Sequence, residues 1–493
     1  NPELKEFPFD SERKLMSSVR QFGDREQLAM KGATDSVLAI SRHIYRNGKP
    51  EPIADADREA ISSIADEFSG QALRVLAIAY RPLEADGRDY VIEDVEKDVT
   101  FLGLVRMMDP PREGVREAMD QCHDAGIRTF IMTGDHAITA QAIGNEISLD
   151  ADGHPSQVFT GTELKGMDDT KLTAVMEKEQ SLIFSRVDPE DKLRIVDLLM
   201  ESGEVVAVTG DGVNDAPALR KADIGVAMGR IGTDVSKEAS ELVLLDDSFP
   251  TLVHAVREGR TIYRNLKKTV LASMTTNAAE LVVVLFGLAG VAMSNWAIPI
   301  LAIQILAIDL LAEIMPLTYL TYDPPPDDVM QTPPRNPKDH ILNRGSSLEV
   351  IFLGLLIGVL SFANYALFMV RHGVSFNILE GSGTIDPSHA VMYAQATTVT
   401  YLTIGFCQFV NILSRRYEKA SIFNKNFFSN RILLLSVLGS IVLILLAIYL
   451  PWVRAFLRFH PPVMSDWGCV LGAAGVYLVA FEILKIFKRA RAK

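Results

Sequence analysis

Apolar and polar positions follow two rhythms along the chain, and the change falls near residue 266. Before it, short apolar runs alternate with amphipathic stretches. Thr100–Arg106, Thr129–Thr133, Ser181–Phe184, Val205–Thr209, Ile224–Ala227 and Leu242–Leu245 read as strands, with Glu113–Ala125 and Pro189–Met200 as helices between them. Strands covered by helices on both faces read as near-continuous apolar runs, so this pattern predicts a doubly wound parallel sheet of α/β class. Residues before about 95 lack the rhythm and predict part of a second domain. After residue 266 come six apolar stretches: Thr269–Met293, Ala297–Thr321, Val350–Val370, Ala390–Ser414, Ile432–Trp452 and Trp467–Leu484. Each approaches or exceeds the roughly 18–20 residues that cross a bilayer. The expected division is 1–95, 96–262 and 263–493, the last an all-α membrane domain of six transmembrane helices.

Composition sharpens this picture. Of 493 residues, 48% are hydrophobic and 23% charged. A mean hydropathy of +0.16 suits a mixed architecture better than a purely soluble or purely embedded one. The net charge of −13 leaves no basic excess to neutralise phosphates, which excludes a general nucleic-acid binder. Cys122, Cys407 and Cys469 lie too far apart for a disulfide framework or a Cys-based zinc site. Arg415, Arg416, Lys419, Lys425 and Arg431 lie between the fourth and fifth stretches, and Lys485, Lys488, Arg489, Arg491 and Lys493 close the chain. The positive-inside rule then places the C-terminus and the soluble half in the cytoplasm, and an even number of spans agrees. The opening NPELKEFPFD is polar and lacks an initiator Met, so a start within a longer protein is expected.

Three turns follow expected strands: Met132–Asp135 (MTGD), Ser185–Lys192 (SRVDPEDK) and Thr209–Pro217 (TGDGVNDAP). Gly134, Gly210 and Gly212 permit tight turns and close backbone approach. Thr133 supplies a hydroxyl, Lys192 a cation and Asp211 a hard oxygen suited to Mg2+. Ligands of doubly wound sheets bind at the C-terminal strand ends, so the three turns together point to a phosphate-plus-magnesium site.

TGDGVNDAPAL, MTGD, the DPPR of Asp109–Arg112 and the KGA of Lys31–Ala33 resemble the P-type cation-transporting ATPases. DPPR, KGA and the six C-terminal spans resemble the subgroup of calcium and sodium/potassium pumps. The resemblance covers essentially the whole chain. It implies a haloacid-dehalogenase-like phosphorylation domain in which Thr133 and Gly134 hold a transferred phosphoryl group, Lys192 neutralises it and Asp211 holds Mg2+. Asn214 and Asp215 would support that site, while Asp135 and Arg186 would face the nucleotide. Residues 1–95 resemble the later part of a nucleotide-binding domain: Phe9 would stack on adenine, Lys14 and Lys31 would meet phosphates, and Arg74 would reach the nucleotide. Ser11 stands where calcium pumps often carry Arg. The family's nucleophile, an Asp in Asp-Lys-Thr-Gly, does not occur in these residues. The TGT at Thr160–Thr162 lacks the Asp-Lys and reads as coincidence in a polar surface stretch.

In the membrane half, charged residues are costly and mark function. Asn277 and Glu280 are three apart, Asp309 and Glu313 four apart, so each pair shares a helix face. Pro316 cannot donate to the carbonyl of Ala312, which frees an oxygen near Glu313. These oxygens suit a hard cation. The resemblance places the same four residues on the family's ion-ligand positions, with Gly405 where those pumps carry Glu or Gln and Gln408, one turn on, as a substitute. No basic residue stands mid-way along the first stretch and no Cys-Pro-Cys occurs, which disfavours proton and soft-metal transport. From about Thr251 to Met293 there is no proline, so one long helix is expected. The DPPPDD of Asp323–Asp328 reads as a solvated turn, and Glu482 as an anchor near the cytoplasmic interface.

The resulting expectation is the C-terminal part of an ATP- and Mg2+-dependent pump for Ca2+ or Na+/K+, in the plasma membrane. Its nucleophile, actuator domain and first four spans would lie outside this chain. Two alternatives stand beside it: a membrane-tethered phosphatase of the same superfamily, and a split or degenerate pump half acting as a non-catalytic membrane partner.

Overall fold

A computed structural model describes all residues except 1, 11, 24, 71–72, 85–88, 108–110, 151–155, 180, 295, 327, 379–384, 386 and 492–493. Ser11 and Asp109 thus lie outside the described residues. The chain forms two compact units, residues 1–254 with 330–334, and 255–329 with 335–493.

The first unit opens with a seven-stranded sheet ordered β1-β2-β3-β6-β7-β4-β5. Its strands are β1 (Glu3–Asp10), β2 (Leu15–Phe22), β3 (Arg25–Gly32), β4 (Ser41–Arg46), β5 (Lys49–Pro52), β6 (Arg74–Leu83) and β7 (Val99–Met107). Alternation along β2 and β3 sends Val19, Leu28 and Met30 into the core with Val37, Leu38 and Ala77. The run expected to open the parallel sheet, Thr100–Arg106, is β7 and pairs with β6 and β4 of this mixed sheet instead. Local pattern identified the strand but not its partners.

Beyond it lie two parallel sheets of three strands each. One is ordered β8-β10-β9, with β8 (Thr129–Thr133), β9 (Gln157–Thr160) and β10 (Ser181–Ser185). The other is β11 (Ala207–Gly210), β12 (Ile224–Met228) and β13 (Leu242–Leu244). Central β10 is buried at every position, whereas edge β8 is half-exposed throughout and β11 buries only Val208. Met132 of β8 shares an apolar cluster with Val208 of β11 and with Val196.

Among the described residues, six helices are long and apolar enough to cross a membrane: Phe249–Met293, which lies in the second unit from Ala255 on, and Ala302–Leu320, Arg344–Arg371, Pro387–Arg415, Arg431–Tyr449 and Met464–Ala490, the first to sixth spans. The first runs within one unbroken helix, Phe249–Ser294, as the lack of proline predicts. The fourth span is the most enclosed, with 83% of its apolar window buried, so it forms the centre of the bundle. Glycines permit the closest approach: a Cβ on Gly354 or Gly358 would come within 2.6 Å or 2.5 Å of Ala278 or Val282 on the first span.

Candidate functional site

The phosphate-type turns do gather at strand ends. Ser185 of β10 sits in register with Thr133 of β8 and Thr160 of β9, so three C-terminal ends align. The turn after β8 is closed by its own hydroxyl: Asp135 N donates to Thr133 Oγ1 at 3.0 Å. Arg186 N donates to Asp135 O and Val187 N to Thr133 O, which locks the turns after β8 and β10 together. Gly134, Asp135 and Arg186 stand exposed there, Arg186 with φ of +52°.

Asp188 caps the helix Pro189–Glu201 with a capping box, and that helix presents Lys192. Lys192 Nζ lies 2.7 Å from Asp215 Oδ1, both side chains largely buried. Asp215 Oδ2 accepts from the amides of Asp211 (3.2 Å) and Gly212 (3.1 Å). Burial opposes ionisation of Asp215, but the Lys192 hydrogen bond and these amides outweigh it and hold the carboxyl below its ordinary range. Gly210 is required here, since a Cβ would lie 2.5 Å from that of Asp215. Thr233 N and Ser236 Oγ donate to Asp211 O, so the main chain is fixed while the side chain of Asp211 is exposed. Asn214 is exposed in the short 3-10 turn Val213–Asp215. Lys192 is engaged by Asp215, which leaves Asp211 as the exposed hard-oxygen donor. This donor set fits Mg2+, which keeps most of its waters and takes one or two carboxylates with phosphate oxygens.

Phe9, Lys14, Lys31 and Arg74 lie at one end of the seven-stranded sheet, where β1 and β3 finish and β2 and β6 begin. Phe9 is 64% exposed. Lys31 pairs with Met16 and Ile78 on the face opposite the buried Met30 and Ala79. The glycine of KGA has a steric reason: a Cβ on Gly32 would come within 2.6 Å of Lys14 O. Arg112 of the DPPR segment donates to the carbonyl of Asp247.

In the membrane unit, Glu280 and Glu313 are buried at 7% and 4% exposure. Asp309 is half-buried and Asn277 exposed. Glu280 lies within electrostatic reach of Asp309 and Glu313. Ile308–Glu313 forms a π-helical turn between α-helical Ala302–Ala307 and Ile314–Leu320, closed by Ile314 N to Asp309 O. Both second-span acids therefore sit in the irregular turn, whose last residue, Glu313, is three before the buried Pro316. Ser273 Oγ donates to Glu313 Oε2 at 3.3 Å, while Oε1 of Glu280 and of Glu313 are buried without a partner. Among the described residues, no three His, Cys, Asp or Glu side chains close on one point as a finished metal cage. Gln408 is fully buried, its Oε1 accepting from Asn411 Nδ2 at 2.9 Å.

Comparisons with known proteins bear on the family of the chain. Residues 1–114 match the family model "P-type ATPase, cytoplasmic domain N", and 297–487 match "Cation transporting ATPase, C-terminus". The chain belongs to the P-type cation-transporting ATPases. Among its relatives, Calcium-transporting ATPase 1 of Bacillus cereus is 37% identical over 486 residues, covering 99% of this chain and 53% of the relative. Calcium-transporting ATPase of Bacillus subtilis is 37% identical over 484 residues, covering 98% and 51%. Sodium/potassium-transporting ATPase subunit alpha-4 of Rattus norvegicus is 30% identical over 542 residues, covering 100% and 52%. The chain spans about half the length of the curated relatives it matches. With its apolar spans it is an integral membrane P-type ATPase chain.

Several residues of this P-type ATPase chain escaped the sequence reading. Thr160–Thr162 does not lie wholly on the surface: Thr160 ends β9, Gly161 is buried, and a Cβ on it would lie 2.3 Å from Arg186 O. Nor is Asp323 in a solvated turn. It is 6% exposed and accepts from Lys268 (3.1 Å) and Arg416 (2.9 Å). Ser273 had a readable signal, being four and seven residues before Asn277 and Glu280 on the same helix stripe. Glu482 accepts from Ile422 N and Lys485, tying the sixth span to the loop before the fifth.

Proposed function

We propose that these residues are the C-terminal part of an ATP-driven cation pump whose acceptor carboxylate lies on a strand outside the 493 residues. One observation carries the reading. β8 and β11 are sheet edges, their flanks are half-exposed, and each ends in a phosphate-type turn, with Lys192 and Asp215 between. A further parallel strand along either edge brings its C-terminal residue to that ion pair, and this is where the nucleophilic Asp belongs. Thr133 and the Gly134 backbone then hold the phosphoryl oxygens, and Lys192 offsets their charge. Asp215 orients Lys192, with Asn214 beside it. Mg2+, when bound at Asp211, supplies further positive charge to the phosphoryl oxygens. Phe9, Lys14, Lys31 and Arg74 hold the nucleotide, with Asp135 and Arg186 facing it from the turns.

The transported cation is substrate for Asn277, Glu280, Asp309 and Glu313, with Gln408 at the pocket's fourth-span side. The relatives transport calcium or sodium and potassium by name, and the all-oxygen donor set favours such hard cations. The positive-inside bias favours a cytoplasmic soluble unit and C-terminus, and a plasma membrane is the host proposed here. The unbroken Phe249–Ser294 helix is the mechanical link, since displacement at its start is carried along a rigid rod to Glu280.

The test combines the purified chain with a segment carrying an Asp-Lys-Thr-Gly strand and supplies γ-labelled ATP with Mg2+. An acid-stable, hydroxylamine-labile phosphoprotein is expected only with both pieces, labelled on the added segment and lost in Asp211→Asn. Label on the 493-residue chain itself would place the nucleophile within it and overturn the reading.

A further inference from the structure

We infer that Arg415 and Asn411 set the polarity of the cation pocket by fixing the amide of Gln408 with its NH2 group, not its carbonyl oxygen, toward the interior. The inference deepens the cation-site reading above and rests on it.

The side chain of Arg415, at the end of the fourth span, is only 4% exposed. Its guanidinium donates to Glu349 Oε1 (3.1 Å) on the third span, Thr275 Oγ1 (2.8 Å) on the first and Asn411 (3.0 Å) one turn back. Lys488 on the sixth span also pairs with Glu349, at 2.5 Å. A guanidinium has no acceptor, so the Asn411 atom that meets it must be the carbonyl oxygen. That oxygen also accepts from Tyr477 OH at 3.1 Å. The amide nitrogen of Asn411 is then turned toward Ala272 O (3.2 Å), which can only accept, and toward Gln408 at 2.9 Å. The orientation of this amide is determined from both ends by groups of fixed character. An NH2 group can only donate, so Gln408 must present Oε1 to Asn411.

Nε2 of Gln408 is left buried with no partner. The same helix packs against the π-helical turn: a Cβ on Gly405, one turn before Gln408, would stand 3.9 Å from that of Ala312, the neighbour of Glu313. The natural complement of a buried, unpartnered NH2 is a buried, unpartnered carboxylate oxygen, and Glu280 and Glu313 each offer one. In this arrangement Gln408 is a positioning donor that orients carboxylates, and it contributes no oxygen to a cation. It becomes a ligand only if both amides turn, which the hydrogen bond from Arg415 opposes.

Calcium chloride titrated calorimetrically into the purified 493-residue chain in detergent tests this at constant ionic strength. Asn411→Asp replaces the donor facing Gln408 by an acceptor, so Gln408 must turn its NH2 outward and its oxygen inward. About tenfold tighter Ca2+ binding is expected, and a double variant with Gln408→Leu should lose that gain. A gain that survives Gln408→Leu is electrostatic and overturns the inference, as does no gain at all. Gln408→Leu alone decides the matter if Asn411→Asp does not fold. A positioning donor predicts a Ca2+ Kd within about twofold of the parent, a ligand a loss of about tenfold or more. Failure of the cation-site reading looks different: the parent chain would then bind Ca2+ no more tightly than Glu280→Gln.

Discussion

Lys192 and Asp215 meet at 2.7 Å across the ends of two parallel sheets that share no strand. Asp215 carries the pair because it also collects the amides of Asp211 and Gly212, so one carboxylate fixes both the Lys192 ammonium and the loop that carries Asp211. Asp215→Asn keeps the shape and removes the charge. It is expected to cost about 1–3 kcal/mol in the denaturant unfolding of the soluble unit and to reduce phosphorylation of the assembled pump by at least tenfold. Unchanged phosphorylation would show that Lys192 needs no orienting partner.

The same pair makes a pH prediction. The carboxyl of Asp215 is held below its ordinary 3.8 in the folded chain, so the folded state binds its proton less readily than the unfolded state does. Its stabilising contribution is therefore complete above the ordinary value and disappears as pH falls through the lower, folded one. The stability difference between parent and Asp215→Asn should be constant from about pH 5 to 8 and shrink only in stronger acid. A difference that shrinks already near pH 6 would contradict the depressed carboxyl.

Gly210 needs no unusual backbone angle; its constraint is space. A methyl group placed 2.5 Å from the Asp215 Cβ forces that side chain away from Lys192. Gly210→Ala should destabilise by about 1–3 kcal/mol and reproduce the phosphorylation defect of Asp215→Asn. The neighbouring Gly212 has no comparable contact, so Gly212→Ala is expected to be milder on both counts. Equal effects at the two positions would point to loop flexibility instead.

The strands and spans were legible because local pattern dictates them. Ser181–Ser185 is wholly buried around the apolar run Leu182–Phe184, and the motifs sit on strand ends as their glycines imply. Sheet membership was not legible, because β7 owes its place to β6 and β4 rather than to its own residues. Strand β9, only Gln157–Thr160, carried too little apolar pattern to register. In the membrane half, the spacing of Asn277, Glu280, Asp309 and Glu313 and the position of Pro316 marked the residues proposed here for the cation, yet the π-helical turn emerges only in three dimensions. Asp323 looked solvated because its neighbours are turn formers. Its captors, Lys268 and Arg416, are 55 and 93 residues away in sequence.

The long helix Phe249–Ser294 has Leu266 exposed on it, so a substitution there disturbs backbone more than packing. Leu266→Pro removes one hydrogen bond and clashes with the preceding turn, at about 3 kcal/mol or more. If the helix transmits force, transport by the assembled pump should be abolished while phosphorylation by ATP survives. Loss of both would mean that the kink disrupts the soluble unit, and preservation of both that force travels elsewhere.

Asp323 faces two cations, the half-buried Lys268 from the first span and the buried Arg416 from the end of the fourth, and Asn430 donates to it at 3.3 Å. Its own carbonyl accepts from Asn265 at 2.7 Å, so side chain and main chain both bind the loop to the first helix. Arg416 also donates to Phe427 O (2.6 Å) and Ser429 Oγ (2.9 Å), which carries the connection to the segment before the fifth span. Asp323→Asn leaves two desolvated cations around a neutral amide, and stranding buried charge in this way costs about 3–5 kcal/mol. Replacing Lys268 by Met in addition removes one stranded cation and should recover part of the loss. Thermal unfolding of the chain in detergent measures both. A double variant less stable than Asp323→Asn alone would show that Lys268 stabilises the bundle by contacts other than its pairing with Asp323.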